Sequence, residues 1–313
     1  MHGAAPLHAE LAASRQVMSV ASPRASVIIR TKDSARTLPG ALASVRAQTV
    51  ACEVVVVDSG SRDATLSIAR AGADRVLQLP AERFSFGRAL NVGAGAAGAP
   101  IHFALSSHSM PPDGHWIERS LAKYDRADVA ATNGALGAPG SSRPLSATFF
   151  QTLADASRYP FWGFSNTGSS WRATVWAEHP FDEALPACED KEWGLRVLRA
   201  GWVIAFDPLL CVSDAHRTEH GLRHLYRRTR REFEALGALF ARRPPTFAEF
   251  LSEWLVELDV EGPLRRTRRR LNPIRMTELL AKQRGLRASW SLESALGDAP
   301  PVDRRALEGC RSR

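Results

Sequence analysis

The chain has 313 residues, a formal net charge of +8 at pH 7 and a hydrophobic fraction of 44%. These values are typical of a globular protein with a large core, arranged as one large domain or two modest ones. No stretch approaches the about 18 consecutive apolar residues that a membrane-spanning helix needs, which argues against an integral membrane protein.

Arginine supplies nearly all of the positive charge, because only Lys32, Lys123, Lys191 and Lys282 are lysines. A guanidinium can hold a phosphate with two hydrogen bonds, so a phosphorylated ligand, nucleic acid and an anionic membrane surface are all candidate partners. A GC-rich genome that favours arginine codons would give the same composition.

The cysteines and the first residues together predict a cytoplasmic location. The four cysteines are scattered and have neither zinc nor redox spacing, which favours a reducing compartment. Residues 1–22 contain no long apolar run, so we expect neither a signal peptide nor a membrane span there. We expect this segment to be a partly disordered tail.

Strand and helix patterns alternate in the first third of the chain. The predicted strands are 25–31, 52–58, 73–80 and 100–107, and helical patterns lie at 34–49, 62–73 and 84–98. Alternation at this spacing predicts βαβ units, and their right-handed crossovers give a doubly wound, mostly parallel, Rossmann-like sheet. The glycines of "GAGAAG", at 93–98, follow a helical pattern and precede a strand, which is the reverse of a dinucleotide-binding loop.

The second half is less regular. Residues 134–172 are rich in Gly, Ser, Pro and aromatic residues, and then a helix is predicted over 189–200 and a strand over 202–208. From Gly221 the sequence is helical and basic. We therefore place the main α/β domain at 23–220 and a helical C-terminal extension at 221–313.

Polar residues end three of the predicted strands, at Thr31, Asp58 and Ser106 to His108. Ligands of open α/β sheets bind at the carboxyl ends of the strands, so this edge is the candidate site. For Asp58 the sequence supports two interpretations equally: a hydrogen-bond acceptor for a ribose or base, or a cap of the next helix.

The pair Glu189–Asp190 begins the predicted helix after 188. Carboxylates are favoured at a helix start by the helix dipole, so the pair has a structural explanation. The functional alternative is that one of the two is a general base.

Together these segments resemble the family-2 glycosyltransferases of the GT-A fold, in particular their rhamnosyltransferase-like and antibiotic- or capsule-type members. The resemblance rests on "ASVIIRTKDSARTLPGALASVRAQT", "CEVVVVDSGSRDAT", "FSFGRALNVGA", "FDEALPACEDKEWGLRVLRAGWVIAFDP" and "CVSDAH", in that order. It covers roughly residues 25–216.

The resemblance implies a role for particular residues. Asp190 would be the catalytic base, with Glu189 beside it. The donor nucleotide and its sugar would be bound by Thr31, Asp33, Asp58, Arg88, Asn91 and Ser106.

Metal binding is where the chain departs from the family. Members usually carry an acidic D-x-D pattern that binds Mg²⁺ or Mn²⁺, and here the aligned residues are Ser106, Ser107 and His108. Imidazole suits Mn²⁺ better than Mg²⁺, because hard cations prefer oxygen. We expect a retained but altered divalent-cation site with His108 and His216 as ligands. Direct hydrogen bonding of His108 to a diphosphate is the alternative.

The resemblance implies an inverting hexosyl- or N-acetylhexosaminyltransferase. The donor would be a nucleotide-diphosphate sugar, and the acceptor hydroxyl would belong to a polysaccharide, a lipid-linked sugar or a natural-product aglycone. The alternative is a non-catalytic sugar-nucleotide-binding protein with a degenerate metal motif. Nucleic acid is not an expected partner, because the arginine clusters lack interleaved aromatic residues. Peripheral contact with an anionic membrane stays open.

Overall fold

The structure is a computed structural model. It describes residues 23–139, 144–159, 162–214, 221–240, 243–250 and 273–295. The predicted tail at 1–22 and the predicted metal ligand His216 lie outside these ranges.

The strands and helices follow the predicted order. The strands are β1 Ala25–Thr31, β2 Glu53–Asp58, β3 Arg75–Gln78, β4 Ile101–Ser106, β5 Ser109–Met110, β6 Val129–Gly134, β7 Phe149–Gln151, β8 Gly168–Arg172, β9 Val203–Asp207 and β10 Ser213–Asp214. The helices are α1 Leu38–Arg46, α2 Thr65–Gly72, α3 Phe86–Ala96, α4 Trp116–Leu121, α5 Leu153–Arg158, α6 Ala173–Glu178, α7 Glu189–Arg199, α8 Leu222–Leu239 and α9 Pro273–Ala295.

Eight strands form one sheet in the order β3-β2-β1-β4-β8-β6-β9-β7. The pairs β1–β2, β2–β3, β1–β4 and β6–β9 are parallel. Strand β8 runs antiparallel between β4 and β6, and β7 is antiparallel to β9. The sheet is therefore mixed but mostly parallel, and its doubly wound half is the predicted one.

Both faces of the sheet are covered, which explains the unbroken β-branched runs in its central strands. Along β1, Val27 and Ile29 pack in one core with helices α1 and α4. Ile28 packs in the opposite core with helix α3 and the large side chains of Trp171 and Trp193.

Strand register places the predicted site at one edge. Thr31 lies opposite Asp58, and Arg30 lies opposite Ser106. Since these strands are parallel, their carboxyl ends meet at the same edge of the sheet.

The C-terminal helices α8 and α9 pack closely against each other through small residues. A Cβ on Gly237 would meet Ser289, and a Cβ on Gly285 would meet the backbone of Arg230. Within the described ranges, no helix is long and apolar enough to cross a membrane.

Candidate functional site

The loops after β1 and β2 are joined to each other by hydrogen bonds. The Asp33 N–H donates to Ser61 Oγ at 2.9 Å, and the Arg62 N–H donates to Asp33 Oδ1 at 2.7 Å. The Ser34 N–H donates to Thr65 Oγ1 at 2.7 Å. Asp33 has a φ of 46°, a left-handed conformation that few residues other than glycine adopt. These bonds hold the β1–α1 and β2–α2 loops together as one wall of the candidate site.

Asp58 shapes this wall from beneath. It is 1% exposed, and its Oδ2 accepts the N–H groups of Gly60 and Ser61, each at 3.1 Å. The Ser61 hydroxyl donates to its Oδ1. The structure therefore gives Asp58 a structural role in its own loop, where a neighbouring residue, Ser59, lines the adjacent cleft.

A cleft of about 480 Å³ opens at the carboxyl ends of β1, β2 and β4. It is lined by Arg30, Thr31, Lys32, Asp33, Ser34, Arg36, Thr37, Ser59, Phe84, Phe86, Ser106, Ser107 and His108. Four predicted site residues thus lie together: Thr31, Asp33, Ser106 and His108. Three cationic side chains and a single carboxylate in this lining favour an anionic ligand.

Arg88 and Asn91 lie outside the cleft lining and bond to the loop at 181–183. Arg88 Nε donates to Glu183 Oε2 at 2.6 Å. Asn91 Nδ2 donates to the carbonyl of Phe181 at 2.9 Å and to Glu183 Oε1 at 3.0 Å. Asn91 Oδ1 accepts the N–H of Phe181 and the indole N–H of Trp176, each at 3.0 Å.

These four bonds use the full donor and acceptor capacity of the Asn91 amide. Neither Arg88 nor Asn91 lines the cleft, and both anchor the 181–183 loop that leads to α7. That they help to position the donor stays a prediction.

Helix α7 starts at the acidic pair. Glu189 is 5% exposed, whereas Asp190 is half-buried. The N-cap, Cys188, has a φ of 64°, so the chain turns sharply into the helix. The backbone N–H of Asn166 donates to Asp190 Oδ2 at 3.2 Å, and Asn166 Nδ2 donates to Glu189 Oε1 at 3.1 Å.

Burial strongly perturbs Glu189. Desolvation and, secondarily, the neighbouring Asp190 charge raise the pKa of Glu189 to about 7, against the opposing attraction of Arg30. Arg30 Nη1 lies 3.6 Å from Glu189 Oε1. Because Arg30 also lines the cleft, it connects the cleft to the acidic pair.

Helix α8 reaches the site as well. The ring of Phe86 lies 5.6 Å from the guanidinium carbons of both Arg30 and Arg231. The Cys188 thiol donates to the carbonyl of Glu232 at 3.4 Å. The C-terminal extension therefore contacts both the cleft wall and the start of α7.

Within the described residues, no group of three or more His, Cys, Asp or Glu side chains is placed to hold a metal ion. Mg²⁺ in nucleotide sites commonly uses one or two protein carboxylates plus substrate phosphates and waters. His108, in the cleft lining, offers an imidazole, which suits Mn²⁺ better than Mg²⁺.

Sequence comparison identifies related proteins over part of the chain. Residues 26–158 match the family model described as Glycosyl transferase family 2. The succinoglycan biosynthesis protein ExoU of Rhizobium meliloti (strain 1021) is 40% identical over 93 residues, which are 29% of this chain and 25% of that protein. The match thus spans about a quarter of that relative's length.

Solved structures share the fold over most of the chain. The mannosyltransferase PcManGT from Pyrobaculum calidifontis, in complex with GDP-Man and Mn²⁺, has a TM-score of 0.55 at 17% identity, covering 92% of this chain and 79% of that one. S. aureus TarS 1-349 has a TM-score of 0.51 at 18% identity, with coverages of 90% and 94%. Glucosyl-3-phosphoglycerate synthase from Mycobacterium tuberculosis, with Mn²⁺, UDP and glucosyl-3-phosphoglycerate, has a TM-score of 0.51 at 17% identity, with coverages of 72% and 82%.

Proposed function

We propose that this chain, whose residues 26–158 match the family model Glycosyl transferase family 2, is a GT-A glycosyltransferase of that family that transfers a sugar from a nucleotide-diphosphate sugar to an acceptor hydroxyl with inversion. The observation that carries the proposal is the position of the Glu189–Asp190 pair. It adjoins, through Arg30, a basic cleft at the carboxyl edge of the sheet.

The cleft would hold the donor. Thr31, Asp33 and Ser106 supply hydroxyl and carboxylate groups for a ribose and base, and Arg36 and Lys32 supply positive charge for a diphosphate. Asp58 would act indirectly, by keeping the β2–α2 loop in place. Arg88 and Asn91 would also act indirectly, through the 181–183 loop.

Asp190 would be the general base. It is the more exposed carboxylate of the pair, and one of its oxygens is oriented by the Asn166 N–H. As the acceptor oxygen attacks C1 of the sugar, Asp190 takes its proton, and the C1–O bond to the diphosphate breaks with the electron pair leaving on the diphosphate oxygen. A single displacement of this kind inverts the anomeric carbon.

The departing diphosphate needs a positive partner. A Mn²⁺ or Mg²⁺ ion shared between the diphosphate and His108 would supply Lewis-acid charge there, and His216 is the second proposed ligand. The arginine and lysine side chains of the cleft would share this role.

The transferred sugar is proposed to be a hexose or N-acetylhexosamine, and the hexose is supported by the structure of PcManGT with GDP-Man. The name of the relative ExoU favours a saccharide acceptor in polysaccharide biosynthesis, free or lipid-linked, over a natural-product aglycone. We propose a cytoplasmic protein that contacts an anionic membrane through α8, where Arg223, Arg227 and Arg231 are exposed.

A second candidate is a non-catalytic sugar-nucleotide-binding protein. The sequence Ser106-Ser107-His108 at the position of the family's acidic metal motif favours it. Wild-type protein incubated with a panel of uridine-, guanosine-, adenosine- and deoxythymidine-diphosphate sugars separates the two. The proposed enzyme releases nucleoside diphosphate from at least one donor, slowly to water and faster with a saccharide acceptor. A binder shifts its melting temperature with a donor and releases none.

A further inference from the structure

We infer that Arg30 and Asn166 are positioning residues of the acidic pair, holding the buried Glu189 carboxylate so that Asp190 faces the acceptor. The inference rests on the proposed function, because Asp190 acts as a base only if the chain catalyses the proposed transfer. The geometry that carries it consists of contacts between three separate parts of the fold.

Asn166 lies at the centre of these contacts. It precedes β8, is 2% exposed, and contacts both carboxylates: its side-chain amide donates to Glu189, and its backbone N–H donates to Asp190. Its backbone carbonyl accepts the Nη2–H of Arg30 at 3.1 Å. One residue therefore fixes the separation of the two carboxylates and the position of the guanidinium.

Arg30 supplies the balancing charge. It is the one charged residue of the buried strand β1, and 13% of its side chain is exposed. A charge in this setting is costly unless it is paired, and its Nη1 lies 3.6 Å from Glu189. Loss of the guanidinium would leave the Glu189 carboxylate buried without a counter-ion, so Glu189 would take up a proton and lose its present orientation.

Two charged groups, Asp190 and Arg30, act on the titration of Glu189, and two more act on its neighbour Cys188. Asp190 is the neighbour on α7, and Cys188 precedes it at the N-cap. Lys191, whose ammonium donates to the Gly163 carbonyl, and Glu232 of α8 interact electrostatically with Cys188. Arg30, from β1, is the cation in ion-pair contact with Glu189.

The test compares wild type, Arg30→Met, Glu189→Gln and the double variant by urea unfolding from about pH 5 to about pH 8.5. Because the folded pKa of Glu189 lies above its unfolded value, the contribution of Glu189 to stability falls as pH rises between the two values and is level above about pH 7. The buried His102, whose pKa is lowered to about 4, contributes the opposite change below about pH 6.5, so the effect of Glu189 is read as the difference between wild type and Glu189→Gln. Arg30→Met raises the pKa of Glu189 in the folded state further. The urea midpoint of this variant therefore continues to fall above about pH 7, where the Glu189 contribution in wild type is level. In the Glu189→Gln background, Arg30→Met shifts the midpoint by the same amount at every pH.

Turnover supplies the second readout. We expect Arg30→Met and Asn166→Ala to lower kcat by about 10²-fold, the cost of a small misplacement of catalytic groups. Asn166 is not part of the cleft lining, so Asn166→Ala should keep its nucleotide affinity within about two-fold of wild type. Arg30→Lys keeps a charge and should retain the level midpoint above about pH 7, which covers the case in which Arg30→Met does not fold. Tyr124→Phe is the matched control: it removes a buried hydroxyl that bonds Ser170, lowers the midpoint equally at all pH values and leaves kcat unchanged.

A midpoint loss in Arg30→Met that is independent of pH overturns the inference, as does wild-type kcat in both Arg30→Met and Asn166→Ala. The unfolding series needs no substrate. If no donor supports transfer, the proposed function fails while the unfolding series still decides whether Arg30 balances Glu189.

Discussion

Replacing Asn91 by alanine tests whether this residue anchors a loop or binds the donor. The substitution deletes four hydrogen bonds that tie α3 to Trp176 and the 181–183 loop. Each such bond contributes about 1 kcal/mol net, and the half-buried partners recover part of this from water, so we expect a loss of about 2–3 kcal/mol. For a domain of this size, that loss lowers the melting temperature by about 4–12 °C.

The assay pairs thermal unfolding with calorimetry of nucleoside diphosphate binding. An anchoring Asn91 predicts a lower melting temperature, lower turnover and nearly unchanged nucleotide affinity. Gln48→Ala is the matched control. The Gln48 amide donates to the carbonyls of Ser44 and Asp113 and accepts the Ile117 N–H, and none of these partners lines the cleft. It should lose similar stability and keep its turnover. An unchanged melting temperature with about ten-fold weaker nucleotide binding would refute the anchoring role.

Three further predictions concern the cleft and α8. Asp58→Ala should lower both stability and nucleoside diphosphate affinity, because the β2–α2 loop loses its acceptor; calorimetry showing full affinity in a folded variant would remove Asp58 from the site. If His108 shares a cation with the diphosphate, EDTA should stop turnover, Mn²⁺ should restore it, and activity should fall in acid as imidazole is protonated; full activity of His108→Ala with and without EDTA would leave this histidine no part in the reaction. Binding to anionic vesicles, measured by co-sedimentation, should weaken as salt is added. It should also weaken in the double variant Arg227→Ala/Arg231→Ala, by roughly 1 kcal/mol of binding free energy per arginine, whereas no binding at low salt would exclude the membrane contact.

The fold was largely predictable where buried strands appear in the sequence as continuous apolar runs. The runs "ASVIIRT", "EVVVVD" and "IHFALS" are apolar because both faces of β1, β2 and β4 are covered, and the structure confirms all three strands. Strand β8, "GSSWR", carries no such signal, since its two serines are buried between β4 and β6 although they are polar, and only the Ser170 hydroxyl is hydrogen-bonded there. The mixed half of the sheet could not be predicted for that reason.

The part of the candidate site that lies at the ends of the parallel strands was predictable from the order of those strands. Polar residues at parallel strand ends had to meet at one edge, and Thr31, Asp33, Ser106 and His108 do so. Asn166 and the partners of Asn91 are joined to the site by contacts across more than twenty residues of chain, and no local pattern encodes such contacts. Arg30 did leave a signal, a lone charge inside a buried strand, which identifies a paired guanidinium but not its partner.

The most direct test of glycosyl transfer at this cleft is the turnover of Asp190→Asn, measured with the donor that wild type uses and beside calorimetry of the nucleoside diphosphate. The substitution keeps the shape and the hydrogen bond from Asn166 while removing the proton acceptor. Loss of a general base costs about 10²–10⁴ in rate, so kcat should fall by that factor while nucleotide affinity is retained. Turnover above about a tenth of wild type, with the same product, would contradict the assignment of Asp190 as the base.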